Sequence, residues 1–470
     1  MDKYQDSKQT IRTAIMNTGA NIISLIVGMV MIPIIARVLS TSEMGIASTF
    51  LSTRNTFVIL ATLASYSYVN KAMLEFKEEK KSYIASIAVF CAVMLAAVFV
   101  ICLPFKNQIM DWFSLDEFLF YWLFISSLAF ALYSLGNYYC IFHNKSLIIF
   151  FIVMSVGPVA QFLSLGLSYV WSDRKYVGRV IGLDFTYFVV AIGVVIWLFF
   201  SKNRHVKGEY IKQTLAFSVP IIPHLMSQMV LTQCDLIMIS YFAGEDKSGI
   251  YSMGHTVGFL AFTVMSQIMA AWSPWVYRRL EEKDYETVYR NGKVMMILGG
   301  YMTIGLLTVA TELIKIFLPD DYLPCIYIVP PLVLAMFFQF IYLFFYDLEY
   351  YNKKSKNIAI ASVIASILNV ILNWLLIPRI GYMAACYTTV ASYLVLLLLN
   401  YMFCLKLDVR KIYNLKVALG LTTFVIVYMF FIFITVNYIL VRYIALVILS
   451  IVLLKVEWKD LKDLLKAVKG

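Results

Sequence analysis

A few side chains in this sequence stand where their surroundings penalise them. Arg54 lies about ten residues into an otherwise apolar segment, so a helix there carries it ~15 Å deep. A guanidinium at that depth costs on the order of 2.5–3.5 kcal/mol, and such a residue reads as a functional site, a fixed cation of the kind that holds an anion. It is about 100° around the helix from the stripe Ser48, Ser52, Asn55 and Thr62. His224 sits at similar depth between the pair Pro220/Pro223 and Gln228, and His255 nearer the other end of its segment. An imidazole changes charge near neutral pH, although a histidine among apolar residues also serves as a packing donor. Asp184 and Asp235 are carboxylates inside apolar runs and are the candidates for binding a coupling proton or sodium ion. Glu312 and Lys315, three apart, are expected to neutralise each other. Asp347 and Glu349, close to Lys353 and Lys354, are expected to form a solvated helix end. Arg278 and Arg279 follow Pro274 at a charged break, where they either gather an anion or anchor the chain at the membrane surface. No catalytic constellation and no metal site is legible: the seven cysteines show no C-x-x-C and no Cys/His spacing.

The elements that position these groups follow from composition. Of 470 residues, 61% are apolar and 14% charged, with mean hydropathy +0.79. Soluble chains average ~45–50% apolar and ~25% charged, which excludes that class. A spanning helix needs about 20 apolar residues. The pattern predicts an all-α integral membrane protein with about fourteen spans, near 11–36, 44–70, 82–104, 118–142, 147–171, 177–200, 213–242, 249–273, 293–318, 325–351, 357–378, 382–405, 412–434 and 439–455. The net charge of +11 reads as topology and not as a nucleic-acid footprint. With fourteen spans, 29 of 39 basic residues fall on the termini and even-numbered loops, and 8, including Arg179 and Arg442, on the odd loops. The positive-inside rule then places both termini in the cytoplasm. The first apolar run has no small-residue cleavage site and is expected to stay in the membrane. Lysines alternate with apolar residues over Trp458–Lys466, which predicts an amphipathic helix on an anionic membrane face.

A shift of about 204 residues lays Gly45-Ile46-Ala47-Ser48 on Gly249-Ile250-Tyr251-Ser252. Span one carries Asn17, Asn21, Ser24 and Gly28 on one face, and span seven, its repeat partner, carries His224, Gln228, Thr232 and Asp235. Six spans separate the copies, so the repeat is parallel. The expected organisation is a six-helix bundle over 1–200, a second over 201–405, and two further spans with the tail over 406–470. Polar faces avoid lipid, which predicts a water-filled lumen lined by spans 1, 2, 7 and 8; close helix packing is the competing use for their small residues.

Three segments resemble a known family: Asn21-Ile22-Ile23 with Ile32-Pro33-Ile34-Ile35-Ala36-Arg37-Val38-Leu39, Asp235–Phe242 with Gly249–Ser252, and Leu368–Pro378 with Gly381–Ala385. The family is that of bacterial polysaccharide flippases, which export O-antigen or capsule repeat units and belong to the multidrug/oligosaccharidyl-lipid/polysaccharide exporter superfamily. The resemblance implies that an undecaprenyl-pyrophosphate-linked oligosaccharide moves from the cytoplasmic to the periplasmic leaflet of the inner membrane by alternating access. It also implies an electropositive lumen and a proton or sodium gradient as the energy source, with no other cofactor. On that basis Arg54, His224, His255, Asn21, Gln228, Arg278 and Arg279 are the candidates for the pyrophosphate and glycan, and Asp235 and Asp184 for ion coupling. The implied partners are the lipid-linked substrate and membrane lipids, with a polysaccharide polymerase and a chain-length regulator as further candidates. Two other functions fit parts of the pattern. A multidrug or cation antiporter shares the architecture but favours a carboxylate-rich lumen. An oligosaccharide polymerase or another polytopic enzyme needs a large external loop or a His/Asp cluster at one face, and neither is present. No P-loop for ATP occurs.

Overall fold

In hydrocarbon a backbone amide has no water to bond, so a chain this apolar must satisfy its amides within each segment. The computed structural model does so with helices alone: no strand occurs among the described residues, which are 2–76, 79–201 and 205–469, with side chains described except at 2–15, 18, 271, 454 and 456–469. Lys77, Lys202, Arg204 and the amphipathic side chains expected in the C-terminal tail fall outside these. Twelve described helices are long and apolar enough to cross a bilayer, and a bent pair makes thirteen. A further apolar stretch, Ile439–Leu453, is shorter, about 22 Å at 1.5 Å per residue. The expected fourteenth span is thus this short segment, and the protein is a multi-span membrane protein with twelve to thirteen full-length candidate spans among the described residues.

The chain divides into two compact units, Met1–Gly249 and Ile250–Gly470. The first holds α1 (Asp2–Val38), α2 (Thr41–Ala61), α3 (Val69–Glu75), α4 (Lys80–Cys102), α5 (Lys106–Phe113), α6 (Glu117–Phe142), α7 (Ser146–Met154), α8 (Ala160–Val170), α9 (Lys175–Phe200), α10 (Gly208–Ala243) and the first turn of α11 (Glu245–Glu281). α2 begins at a capping box in which Ser40 and Glu43 satisfy each other's backbone amides. It was expected to run on to residue 70, but Leu63 and Ala64 adopt left-handed φ of 50° and 49°, and the chain turns by 70° into a 3-10 turn and α3. A π-turn at Ser155–Val159 joins α7 to α8, where Pro158 has no amide hydrogen to give the helix. Against α8, α9 sets two glycines whose added Cβ atoms would lie 2.4 Å from the Leu167 carbonyl and 2.2 Å from Ser164 Cα. α10 joins this unit through Ser52 Oγ donating to Gln233 Oε1 (2.8 Å) and the Tyr83–Thr214 hydroxyl pair (3.1 Å).

The repeat-related glycines of the sequence meet here. A Cβ on Gly45 would sit 1.8 Å from the Glu245 carbonyl oxygen, and one on Gly249 would sit 1.8 Å from the Thr41 carbonyl oxygen. Thr41 and Gly45 are to Glu245 and Gly249 what the repeat predicts, so the start of α2 and the start of α11 cross reciprocally, backbone against backbone. Thr49 and Ser248 hydroxyls bond each other at 3.1 Å beside this crossing, and Ser248 also donates to the Leu236 carbonyl at 3.1 Å.

The second unit contains the rest of α11 with α12 (Tyr285–Phe317), α13 (Cys325–Tyr351), α14 (Ser355–Ile380), α15 (Ala384–Cys404), α16 (Val409–Ile412), α17 (Leu415–Ile434) and α18 (Ile439–Lys469). α13 is its core helix, buried from Ile328 through Phe338. Three expectations are corrected here. Asp347 and Glu349 form no solvated end: they are 2% and 0% exposed, and Asp347 accepts from Ser273 Oγ (2.8 Å) and Tyr277 Oη (3.0 Å) of α11. Glu312 does not pair with Lys315, which is exposed; it pairs with Arg442 of α18. Arg442 is therefore no loop residue but a 1% exposed guanidinium that also donates to the Thr308 carbonyl at 2.8 Å. For Asp347, Glu312 and Arg442 a neighbouring helix supplies the partner that lowers the cost of burial.

Gly249→Leu should separate α11 from α2, because the added atoms overlap a carbonyl in a backbone and not a mobile side-chain end. The expected cost is about 1–3 kcal/mol, read as a lower melting temperature of the detergent-solubilised protein. Gly305→Ala, where a Cβ meets nothing within 4 Å, should leave it unchanged.

Candidate functional site

The midplane charge expected of Arg54 is present and is occupied. Arg54 on α2 is 4% exposed and forms an ion pair with Asp184 of α9, which is wholly buried. The second carboxylate oxygen of Asp184 accepts the Trp122 indole N–H from α6 at 2.9 Å. Arg54 Nη2 donates to Asn55 Oδ1 at 2.9 Å, and the guanidinium carbon lies 5.1 Å from the Tyr187 ring centre and 5.7 Å from that of Phe130. Two residues expected in separate roles, anion binding and ion coupling, thus form one neutral cluster. The arrangement follows from helix geometry: α2, α6 and α9 converge where each has a polar or aromatic residue facing its neighbours, and a charge pair in hydrocarbon survives only when both partners are hydrogen-bonded.

The other candidates are dispersed. His224 and Gln228 are half-buried one turn apart on α10, and the buried Asp235 lies two turns further along. Beside His224, Ser227 Oγ turns back to the Pro223 carbonyl at 2.6 Å, and α10 continues through both prolines as one helix. Asn21 donates to Asn17 at 3.4 Å on α1. Ser24 of that same polar face packs against Gly157, where an added Cβ would lie 2.5 Å from its hydroxyl, so this part of the stripe serves close packing. In the second unit the His255 ring stacks on Phe259 at 4.4 Å. Arg278 is exposed, and Arg279 is engaged by Glu282 (2.8 Å) and Asp284 (3.6 Å) beside the Trp275 ring. About 35 Å of helix separates His255 from this pair, so the two do not form one site.

The model of a family described as polysaccharide biosynthesis proteins matches residues 11–279. The chain belongs to that family. The matched stretch contains every candidate named above and leaves out Asp347, Glu349 and Arg442. Curated protein sequences give no match. Among solved structures the fold is similar to the lipid II flippase MurJ in an inward closed conformation, with 15% identity, TM-score 0.73, and 95% of this chain and 99% of that one covered. It is also similar to an inward-facing multidrug resistance transporter of the MATE family, within the MOP superfamily, with 10% identity, TM-score 0.63, and 83% and 97% covered. At such identities the likeness is one of fold.

One cation escaped the sequence reading. Arg179, counted with the outer loops because it lies near the start of its span, is on α9, and its Nη1 donates to Gln161 Oε1 and Ser164 Oγ of α8, each at 2.7 Å. No carboxylate lies within ion-pair distance of it among the described residues. Charge counting by loops could not find it, since a residue four positions inside a helix and one just outside look alike in sequence.

Asp184→Asn strands the Arg54 guanidinium, and about 3–5 kcal/mol of stability should be lost. The double variant R54M/D184L, which removes both charges, should recover most of that loss in the same thermal unfolding experiment. A single D184N variant as stable as the wild type would show that the pair contributes nothing.

Proposed function

We propose that this protein is a flippase that moves an undecaprenyl-pyrophosphate-linked oligosaccharide repeat unit from the cytoplasmic to the outer leaflet of the bacterial inner membrane, supplying O-antigen, capsular or exopolysaccharide synthesis. Alternating access carries the polar head while the prenyl tail stays in lipid. Both termini are cytoplasmic, the work is transport without catalysis, and a proton or sodium gradient drives it. A polysaccharide polymerase and a chain-length regulator are the natural partners downstream.

The observation that carries this reading is the near-complete coverage of a lipid II flippase fold by a chain of the polysaccharide biosynthesis family. The one is a carrier of a lipid-linked cargo by its name, and the other supplies the pathway class. The physical requirement fits as well. A phosphorylated glycan head needs polar and cationic groups inside a helical membrane protein, and this chain keeps His224, Gln228 and Asn21 half-buried on helices rather than in loops. The MATE likeness supports a second reading, a multidrug or cation antiporter. The two differ in the sign of the cargo.

Deleting the gene should cause a lipid-linked oligosaccharide to build up on the cytoplasmic side, measured by lipid extraction and mass spectrometry. Unaltered lipid-linked sugars together with raised drug sensitivity would favour the antiporter instead. In liposomes, an imposed pH or sodium gradient should accelerate transport, and Asp235→Asn should change that response; an identical response would remove Asp235 from coupling.

A further inference from the structure

Arg179 is a guanidinium without a countercharge inside a membrane-spanning unit, and its direction is unusual. Side chains on a helix lean toward its N-terminus. Arg179 is four residues in from Lys175, so that lean would take its head ~6 Å to the nearer membrane edge, as a snorkelling arginine does. It goes the other way. Ser168 Oγ bonds the Lys175 carbonyl at 3.0 Å, which places those two residues at one level, and a Cβ on Gly182 would touch Ser164, which fixes a second level deeper in the membrane. The guanidinium reaches Ser164 and, beyond it, Gln161, about 14 Å from the Val170 end of α8.

It does not face lipid. The exposed apolar stripe of α9 is Phe185, Val189, Ile192, Ile196 and Phe199, and Arg179 lies about 120° around the helix from Phe185. Both hydrogen bonds use Nη1, which leaves Nε and Nη2 as donors on a half-buried side chain. The carboxylates that contact α9 are already used: Asp184 by Arg54 and Trp122, Glu43 by Ser40 and the Lys175 amide, and Asp116 by Tyr176 and the Leu119 amide. There is also room. Ser24 of α1 touches Gly157, and Val38 at the end of α1 meets Lys175, so α1 runs parallel to α7 and α8. Four residues on from the Ser24–Gly157 contact, Gly28 is level with Gln161, and a Cβ there would meet nothing within 4 Å.

We propose that Arg179, oriented by Gln161 and Ser164, binds a phosphoryl anion of a membrane lipid; on the flippase reading, from which it takes the ligand's identity, that anion is the pyrophosphate of the lipid-linked substrate. The Nε–H and one Nη2–H form a planar two-donor fork that matches two phosphate oxygens edge-on. With both termini cytoplasmic, α9 starts at the outer face, so the site lies on the release side of the path. Arg54, neutralised by Asp184, is not the contact in this conformation.

The test is lipid binding to the purified full chain, measured by native mass spectrometry with two probes, geranylgeranyl pyrophosphate and phosphatidylglycerol. Melting temperature of the lipid-free protein is the control. Arg179→Gln, which keeps hydrogen-bonding capacity but no charge, should weaken pyrophosphate binding by about tenfold or more, with Arg179→Lys between it and the wild type. Lipid-free R179Q should melt no lower than the wild type, because an unpaired charge has been removed. Equal binding of both lipids, lost together in R179Q, supports the phosphoryl site and counts against the flippase reading alone. Equal binding by wild type and R179Q, no binding of either probe, or a lipid-free R179Q that melts several degrees lower or fails to fold would each overturn the proposal, the last by making the guanidinium a packing element.

Discussion

The neutralisation of charge within a low-dielectric helical interior governs this structure. Three buried ionisable groups take their partners from another helix: Arg54 from Asp184, Arg442 from Glu312, and Asp347 from two hydroxyls of α11. Removing water from an isolated charge costs several kcal/mol, and a single mispaired group would spend a large part of a domain's net stability. Helix order and rotation are therefore constrained by these pairs as much as by apolar packing. α9 cannot turn about its axis without separating Asp184 from Arg54 and Trp122.

Against that background, a cation left without a countercharge acquires meaning. Arg179 has hydrogen bonds but no countercharge, and its head points toward the membrane interior rather than to the nearer edge. The neutral Arg54 cluster and Arg179, hydrogen-bonded but without a countercharge, are two settings of one residue type within a single unit.

Local backbone features set where the helices break and meet. Glycines at 45 and 249 permit a crossing at backbone distance, and the paired left-handed residues Leu63 and Ala64 break span two where its apolar pattern continues unbroken. The hydropathy of 44–70 gives no sign of that break because it arises from φ, not from polarity. The π-turn at Ser155–Val159 is comparable: Gly157 and Pro158 are visible in sequence, whereas the contact of Gly157 with Ser24 is a fact of packing.

By itself the sequence determined the class, the approximate spans, the family resemblance and the repeat that aligns Gly45 with Gly249. These rest on composition and periodicity, which are properties of a segment regardless of its neighbours. It also marked Arg54 and Asp184 as costly to bury. Only the tertiary structure decided that these two pay for each other, that Glu312 chooses Arg442 over Lys315, that Asp347 and Glu349 are enclosed, and which way Arg179 points. Partner choice depends on helix rotation and level, each set by contacts between segments far apart in the chain, and no local pattern encodes them.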